Sequence, residues 1–276
     1  MSKADALAFL TALRASALFI ALGLQACTSS QTLPGALQAS TPGAQSETLP
    51  ADFSVVKPTM ACTALSVHDL VALGGPGSRI TAAVETVSKA GHAVCAVEGV
   101  LAPAIRFAVQ LPMQNWTRRY LQVGCGGLCG SIASNVGAAD GCLPLNAGNF
   151  VLAATDMGHQ DQDGSFGADE QKRVDFAYRA QHLTALAAKG LIQSFYGQKE
   201  KFAYFNGCSD GGREALVEAQ RYPDDFDGIL AGAAALNFQV QNAVFHAWQA
   251  RANTGPDGRP IVLAPRLPIL HDAAPP

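Results

Sequence analysis

Residues 207–211, Gly-Cys-Ser-Asp-Gly, have the types and spacing for covalent acyl chemistry. They fit G-x-S-x-G, in which a serine sits on a sharp strand-to-helix turn and projects its hydroxyl clear of the backbone. Small residues two before and two after the serine let neighbouring chain approach without a Cβ clash. Ser209 is therefore the candidate nucleophile. The carbonyl it attacks develops negative charge on oxygen, and that charge needs donors already in place. A helix starting behind Ser209 offers N–H groups without intrahelical acceptors, and the Asp210 amide is the natural first donor. A second donor is expected from residues 124–130, Gly-Cys-Gly-Gly-Leu-Cys-Gly, where nothing on Cα blocks approach to the Gly126 or Gly127 amide. That stretch is not a nucleotide loop: Cys129 stands where the third glycine of G-x-G-x-x-G belongs, and no Gly-Lys-Ser/Thr occurs.

These groups need strands and helices to hold them. Apolar and β-branched runs at 94–101 and 105–111, parted by Ala102-Pro103, read as paired strands. Residues 119–123 read as a strand entering the glycine-rich turn, and 150–155 as a strand buried on both faces. Phe176, Ala180, Leu183, Ala187, Leu191 and Phe195 recur at spacings of three and four and predict a helix that Gly197 ends. A strand at 202–205, the serine turn, a helix over 213–221 stopped near Pro223 and a strand at 228–231 follow. Strands alternating with helices predict an α/β fold with a parallel sheet and right-handed crossovers. With G-x-S-x-G at a strand end, the expected architecture is an α/β-hydrolase core over residues 59–237.

Composition narrows the rest. The 276 residues are 49% hydrophobic and 15% charged, enough to bury a core. A net charge of −3 without a basic block argues against a nucleic-acid partner. Seven cysteines point to an oxidising compartment. The apolar run 15–24 is too short to span a bilayer and suits a signal peptide over residues 1–26. Its end, Leu24-Gln-Ala-Cys27, resembles the lipobox of bacterial lipoproteins, which implies a lipid on Cys27 and an exported protein touching membrane only through that anchor. Residues 27–58, rich in Ser, Thr, Gln, Ala and Pro, read as a flexible tether. Residues 238–276 change character again, with one amphipathic stretch at 240–250 and a Pro-rich end. The six cysteines after Cys27 allow fifteen pairings, and none has zinc-finger spacing.

The stretch 204–232, YFNGCSDGGREALVEAQRYPDDFDGILAG, resembles the tannase and feruloyl esterase family, which includes the mono(2-hydroxyethyl) terephthalate hydrolase type. Thr155-Asp-Met-Gly-His159 resembles its Asp-x-Gly-His strand end, and residues 124–130 its oxyanion loop. The resemblance implies hydrolysis of aromatic acyl esters, of feruloyl, galloyl or benzoyl type, through an acyl-enzyme on Ser209. It implies a Cys62–Cys95 disulfide, with Cys208 bridged to a cysteine directly after the catalytic histidine. Cys129 with Cys142 is a further expected pair; Cys125 has no counterpart.

The resemblance also makes residues 238–276 the start of a lid, and places the acid, the His-Cys dipeptide and the lid calcium loop later than residue 276. No His-Cys occurs in this chain. The expectation is thus an N-terminal portion, without cofactor of its own, whose Cys208 lacks its partner and whose Ser209 lacks its base. His159, His182, His246 and His271 read as structural or surface residues, Asp156 as a loop brace, and Asp224, Asp225 and Asp227 as a solvated or capping turn. The competing reading is a non-catalytic surface lipoprotein that keeps the hydrolase fold.

Overall fold

A computed structural model describes residues 53–273 except Asn135, Gln162 and Phe238. The expected signal peptide, most of the tether and Cys27 lie outside the described residues. The chain divides into two units, up to Ala234 and from Ala235 onward.

The first unit is built on one seven-stranded sheet, in the order β1-β2-β3-β5-β4-β6-β7. Strands β1 (Arg79–Val87), β2 (Ala93–Leu101) and β3 (Ile105–Pro112) form an antiparallel meander. β3 also runs antiparallel to β5 (Phe150–Thr155). From there β5, β4 (Arg119–Val123), β6 (Phe202–Cys208) and β7 (Gly228–Gly232) are parallel. The parallel part is therefore four strands, and the meander precedes it. The sequence reading does not separate β1, whose outer half is exposed and carries little apolar alternation.

Two helices cover the parallel part. The chain runs from a short helix, Glu170–Val174, through a π-turn, Asp175–Arg179, into α1, Ala180–Tyr196. Leu183, Ala187, Leu191 and Phe195 are all buried on it, and α1 packs on β3 and β5. The expected stop at Gly197 is observed, with the residue left-handed at φ 68°. Tyr196 closes this end of the core: its ring stacks 3.9 Å from Trp116 and its hydroxyl donates to the Pro112 carbonyl at 2.8 Å. Helix α2, Asp210–Arg221, begins three residues earlier than its apolar pattern suggests and lies on β6 and β7. Its glycines permit this closeness: a Cβ on Gly212 would stand 2.4 Å from the Gly232 carbonyl oxygen.

Cys62 and Cys95 are joined in a disulfide, both fully buried, tying the entry segment to β2. The second unit has a π-helical stretch, Gln239–Phe245, leading into α3, His246–Ala252. A bridge between Thr254 and Pro260 and a short helix, Leu267–Asp272, complete it. No helix among the described residues is long and apolar enough to cross a membrane.

Candidate active site

The serine turn is built by backbone crowding. Ser209 has φ 62° and ψ −116°, a strained conformation for a residue with a Cβ. Two things hold it there. Its amide donates to the Gly232 carbonyl at 3.0 Å, pinning the turn to the end of β7. Around it the chain passes too close for side chains: a Cβ on Gly207 would lie 2.1 Å from the Gly211 carbonyl oxygen, and one on Gly211 would lie 2.8 Å from the Cys125 carbonyl oxygen. The hydroxyl-bearing residue is exposed while both neighbouring glycines are buried. This is the geometry of a presented nucleophile.

The glycine-rich loop lies against this turn, since a Cβ on Gly124 would approach the Gly211 Cα to 2.6 Å. Gly126 and Gly127 differ from the packing glycines: a Cβ on either meets nothing within 4 Å. Gly127 needs its glycine for φ 62°, whereas Gly126 has neither crowding nor positive φ. Among the described residues neither amide donates to a backbone carbonyl. The Asp210 amide opens α2 and likewise has no intrahelical acceptor. Among the described residues these amides thus lack backbone acceptors, on a loop that packs against the serine turn at Gly124 and Cys125.

The Asp210 side chain is occupied otherwise. It is buried and accepts two hydrogen bonds from Arg213, Nε to Oδ1 at 2.7 Å and Nη2 to Oδ2 at 2.9 Å. One turn along, Glu214 is 1% exposed. It accepts from Cys125 N at 3.3 Å and from Gln181 Nε2 at 2.5 Å. Gln122 Nε2 donates in turn to Gln181 Oε1 at 2.5 Å, and the Tyr120 hydroxyl donates to Gln122 Oε1. A buried polar seam therefore runs from β4 through α1 to the floor of the glycine-rich loop. Burial, with the charge of Asp210, pushes the Glu214 carboxyl up to about 8. Glu218, one turn further, is pushed to about 8 by burial and the charge of Asp225.

Cysteine pairing differs from expectation. Cys129 is bridged to Cys125, with Cα atoms 5.5 Å apart, and not to Cys142, which is an exposed free thiol. The reason is local: the loop turns back on itself, with Cys129 N donating to the Gly126 carbonyl at 3.1 Å. Cys208 is not free in the structure, which differs from the unpartnered thiol expected from the resemblance. Sulfurs of Cys125 and Cys129 and carboxylate oxygens of Asp210 and Glu214 lie within 4.8 Å of one another, a spacing that could suit a metal ion. Here the sulfurs bond each other, Arg213 holds Asp210, and Gln181 holds Glu214.

No side chain among the described residues hydrogen-bonds the Ser209 hydroxyl. His159 is 2% exposed, its ring stacked 3.9 Å from Phe166, and burial lowers its pKa. His182 Nδ1 pairs with Asp225 Oδ2 at 2.6 Å. Asp225 is therefore buried in a pair, which corrects the reading of a solvated turn; Asp227 accepts from Ala203 N at 2.7 Å. Asp156 braces its loop, Oδ1 accepting from Gly158 N at 2.9 Å and Arg106 N at 3.0 Å. The seam residues Tyr120, Gln122, Gln181 and Glu214, and the buried Glu218 one turn beyond them, escaped the sequence reading. Their one signal is Glu214 and Glu218 four apart, which puts two carboxylates on one helix face.

Comparisons with known proteins place the chain in a family. A family model described as tannase and feruloyl esterase matches residues 88–275. An uncharacterized esterase of Xanthomonas campestris pv. campestris is 35% identical over 235 residues, covering 78% of this chain and 39% of that protein. Mono(2-hydroxyethyl) terephthalate hydrolase of Piscinibacter sakaiensis is 33% identical over 160 residues, 54% of this chain and 26% of its own length. Among solved structures, an esterase from Aspergillus oryzae superposes with TM-score 0.61 at 26% identity, over 77% of this chain and 45% of that one. Feruloyl esterase B from Aspergillus oryzae gives 0.58 at 26% identity, over 71% and 42%. The chain thus spans less than half the length of these relatives. The sheet order and these neighbours make the core an α/β-hydrolase fold. With the family model matched over most of the chain and a serine turn of the right geometry inside the match, the chain belongs to the tannase and feruloyl esterase family.

Proposed function

We propose that the protein hydrolyses carboxylic esters through Ser209, which attacks the ester carbonyl and forms an acyl-enzyme that water then releases. The observation that carries this reading is the strained, exposed Ser209 with unengaged amides of Asp210, Gly126 and Gly127 around it. Those donors stabilise the tetrahedral oxyanion rather than the ground-state carbonyl, which is where catalytic binding energy counts. The acyl group is aromatic, of feruloyl, galloyl or benzoyl type; the reading draws on relatives named feruloyl esterase and terephthalate hydrolase. The base that takes the Ser209 proton is a histidine outside the described contacts of Ser209, supplied by a later segment.

The test is complementation. The chain from residue 28 is assayed on methyl ferulate and on an aryl benzoate, alone and joined to the downstream half of a related feruloyl esterase. The joined form should turn over and lose turnover in Ser209→Ala, while the chain alone stays near the buffer rate. Ser209-dependent turnover by the chain alone would assign the base to a histidine of this chain, with His159 first in line. Turnover unaffected by Ser209→Ala would end the serine mechanism, and no turnover by either form would leave the non-catalytic surface protein as the reading.

On location, two described disulfides suit an oxidising compartment. We place the protein as an exported lipoprotein, acylated at Cys27, facing the periplasm or outer membrane.

A further inference from the structure

We infer that the Cys125–Cys129 disulfide is the clamp that positions the oxyanion loop, and that a thiol reductant reversibly releases it. The inference deepens the esterase reading and rests on it for its catalytic consequence.

The argument comes from what else could hold residues 126–128. Packing holds the half-buried Leu128 but not the two glycines: a Cβ at Gly126 or Gly127 has no neighbour within 4 Å. Backbone pairing is slight: the Gly126 carbonyl accepts from Cys129 N at 3.1 Å, while among the described residues none of the Gly126, Gly127 and Leu128 amides donates to a carbonyl. Free donors at an exposed loop are entropically loose unless something else fixes the backbone. The two ends, in contrast, are anchored. The Cys125 carbonyl abuts Gly211 and its amide donates to Glu214 at 3.3 Å. Gly130 N donates to the Asp156 carbonyl at 3.3 Å, and Cys129 itself is held at φ 63°. The bridge spans the three residues between and closes them into a ring with its Cα atoms 5.5 Å apart. It is the one covalent restraint on the segment that carries the proposed donors.

A sequence separation of 4 constrains the unfolded chain far less than the separation of 33 at Cys62–Cys95, so the bridge acts mainly on local geometry. Its floor supports the same role. Glu214 Oε1 lies 3.5 Å from Cys129 Sγ, and a disulfide sulfur has no proton to give, so this contact suits the neutral carboxyl. Cys129 is half-buried while Cys62 and Cys95 are fully buried, so a reductant reaches this bridge before that one. In the opening step a dithiothreitol thiolate attacks Cys129 Sγ and the S–S bond breaks towards Cys125. The second dithiothreitol thiol resolves the mixed disulfide. Two protons end on the Cys125 and Cys129 thiols, and dithiothreitol leaves as its cyclic disulfide. Opening frees the Gly126 and Gly127 amides to wander. An oxyanion donor that must be recruited at the moment of reaction is worth less than one held in place. Cys125 and Cys129 are positioning residues in this account, and neither touches substrate.

Two readouts test it. The first is amide hydrogen exchange on the full chain, resolved at Cys129 and Gly130, in three states: untreated, reduced with dithiothreitol, and reoxidised. Peptide mapping without reduction follows the bridge in each state. The clamp predicts faster exchange at both amides on reduction, about tenfold or more, reversed on reoxidation. Unchanged exchange with the bridge demonstrably open overturns it. The second is kinetics on an aryl ester, using whichever form turns over in the complementation assay. Opening the bridge, or the double variant Cys125→Ala/Cys129→Ala, should lower kcat by about tenfold or more with KM within about twofold. A bridge that only stabilises the fold would leave kcat of the folded fraction unchanged, and that result overturns the clamp. Should the double variant fail to fold, reduction of the parent in place carries the same measurement. Cys142→Ala, at an exposed free thiol, should keep both kcat and its sensitivity to reductant. If no form turns over, the hydrolase reading fails while the exchange readout still decides the clamp.

Discussion

Glu214 sits where stability and the site meet, and its replacement by glutamine gives a quantitative test of the buried seam. The carboxyl is 1% exposed and is pushed from an ordinary 4.5 to about 8 by burial and by the neighbouring Asp210 charge. Between those two pH values the native protein holds a proton that the unfolded chain has already lost. A raised folded pKa means the stabilisation is complete below 4.5 and disappears as pH climbs towards 8. Each pH unit in that window costs about 1.4 kcal/mol, so Glu214 alone removes about 3 kcal/mol by pH 7 and about 5 kcal/mol by pH 9. Glu218 is raised to a similar value and adds a parallel loss. Glutamine has nearly the same shape, keeps an oxygen for Cys125 N and Gln181 Nε2, and cannot ionise. The assay is urea unfolding at pH 5, 6, 7, 8 and 9, followed by the fluorescence of the buried Trp116. The difference between parent and Glu214→Gln isolates this group from His68 and His159, whose burial lowers their pKa. The variant should match or fall slightly below the parent at pH 5 and exceed it by several kcal/mol at pH 9. Adding Glu218→Gln should flatten the remaining slope. Parallel pH profiles for parent and Glu214→Gln would refute the reasoning, because they would mean that the carboxyl titrates normally in the folded protein.

Gly207→Ala should cost about 3 kcal/mol or more in urea unfolding, because its Cβ meets the Gly211 carbonyl at 2.1 Å. Gly126→Ala should leave stability within about 0.5 kcal/mol yet lower turnover of the joined enzyme, since only the donor's surroundings change. Arg213→Ala should destabilise by about 3–5 kcal/mol, because it leaves the buried Asp210 carboxylate unpaired; thermal denaturation checks this. Cys62→Ala should cost roughly 3–4 kcal/mol by loss of the long-range bridge to Cys95, read from the same unfolding curves. Cys27→Ser, expressed in a Gram-negative host, should move the protein from membrane to soluble fractions; equal membrane fractionation would remove the lipid anchor from the reading.

What the amino-acid sequence determined about this protein is local. The order G-x-S-x-G after an apolar strand forces the Ser209 turn, because only glycine tolerates the chain crossings at 207 and 211. The recurrence of Ala180, Leu183, Ala187, Leu191 and Phe195 at spacings of three and four makes α1, and Gly197 ends it, since both follow from the chain's own period and φ preferences. Tertiary structure decided the rest. The weakly patterned β1 forms because β2 offers it a ladder, and no residue within it announces that partner. Cys129 joins Cys125 rather than Cys142 because the loop folds back before it meets anything else; sulfur pairing depends on Cα separation, which spacing along the chain does not state. Gln122, Gln181 and Glu214 look like polar interruptions in three separate elements until the sheet and the two helices bring them together. Only then can each satisfy the other, and only there does burial make a carboxylic acid hold its proton at neutral pH.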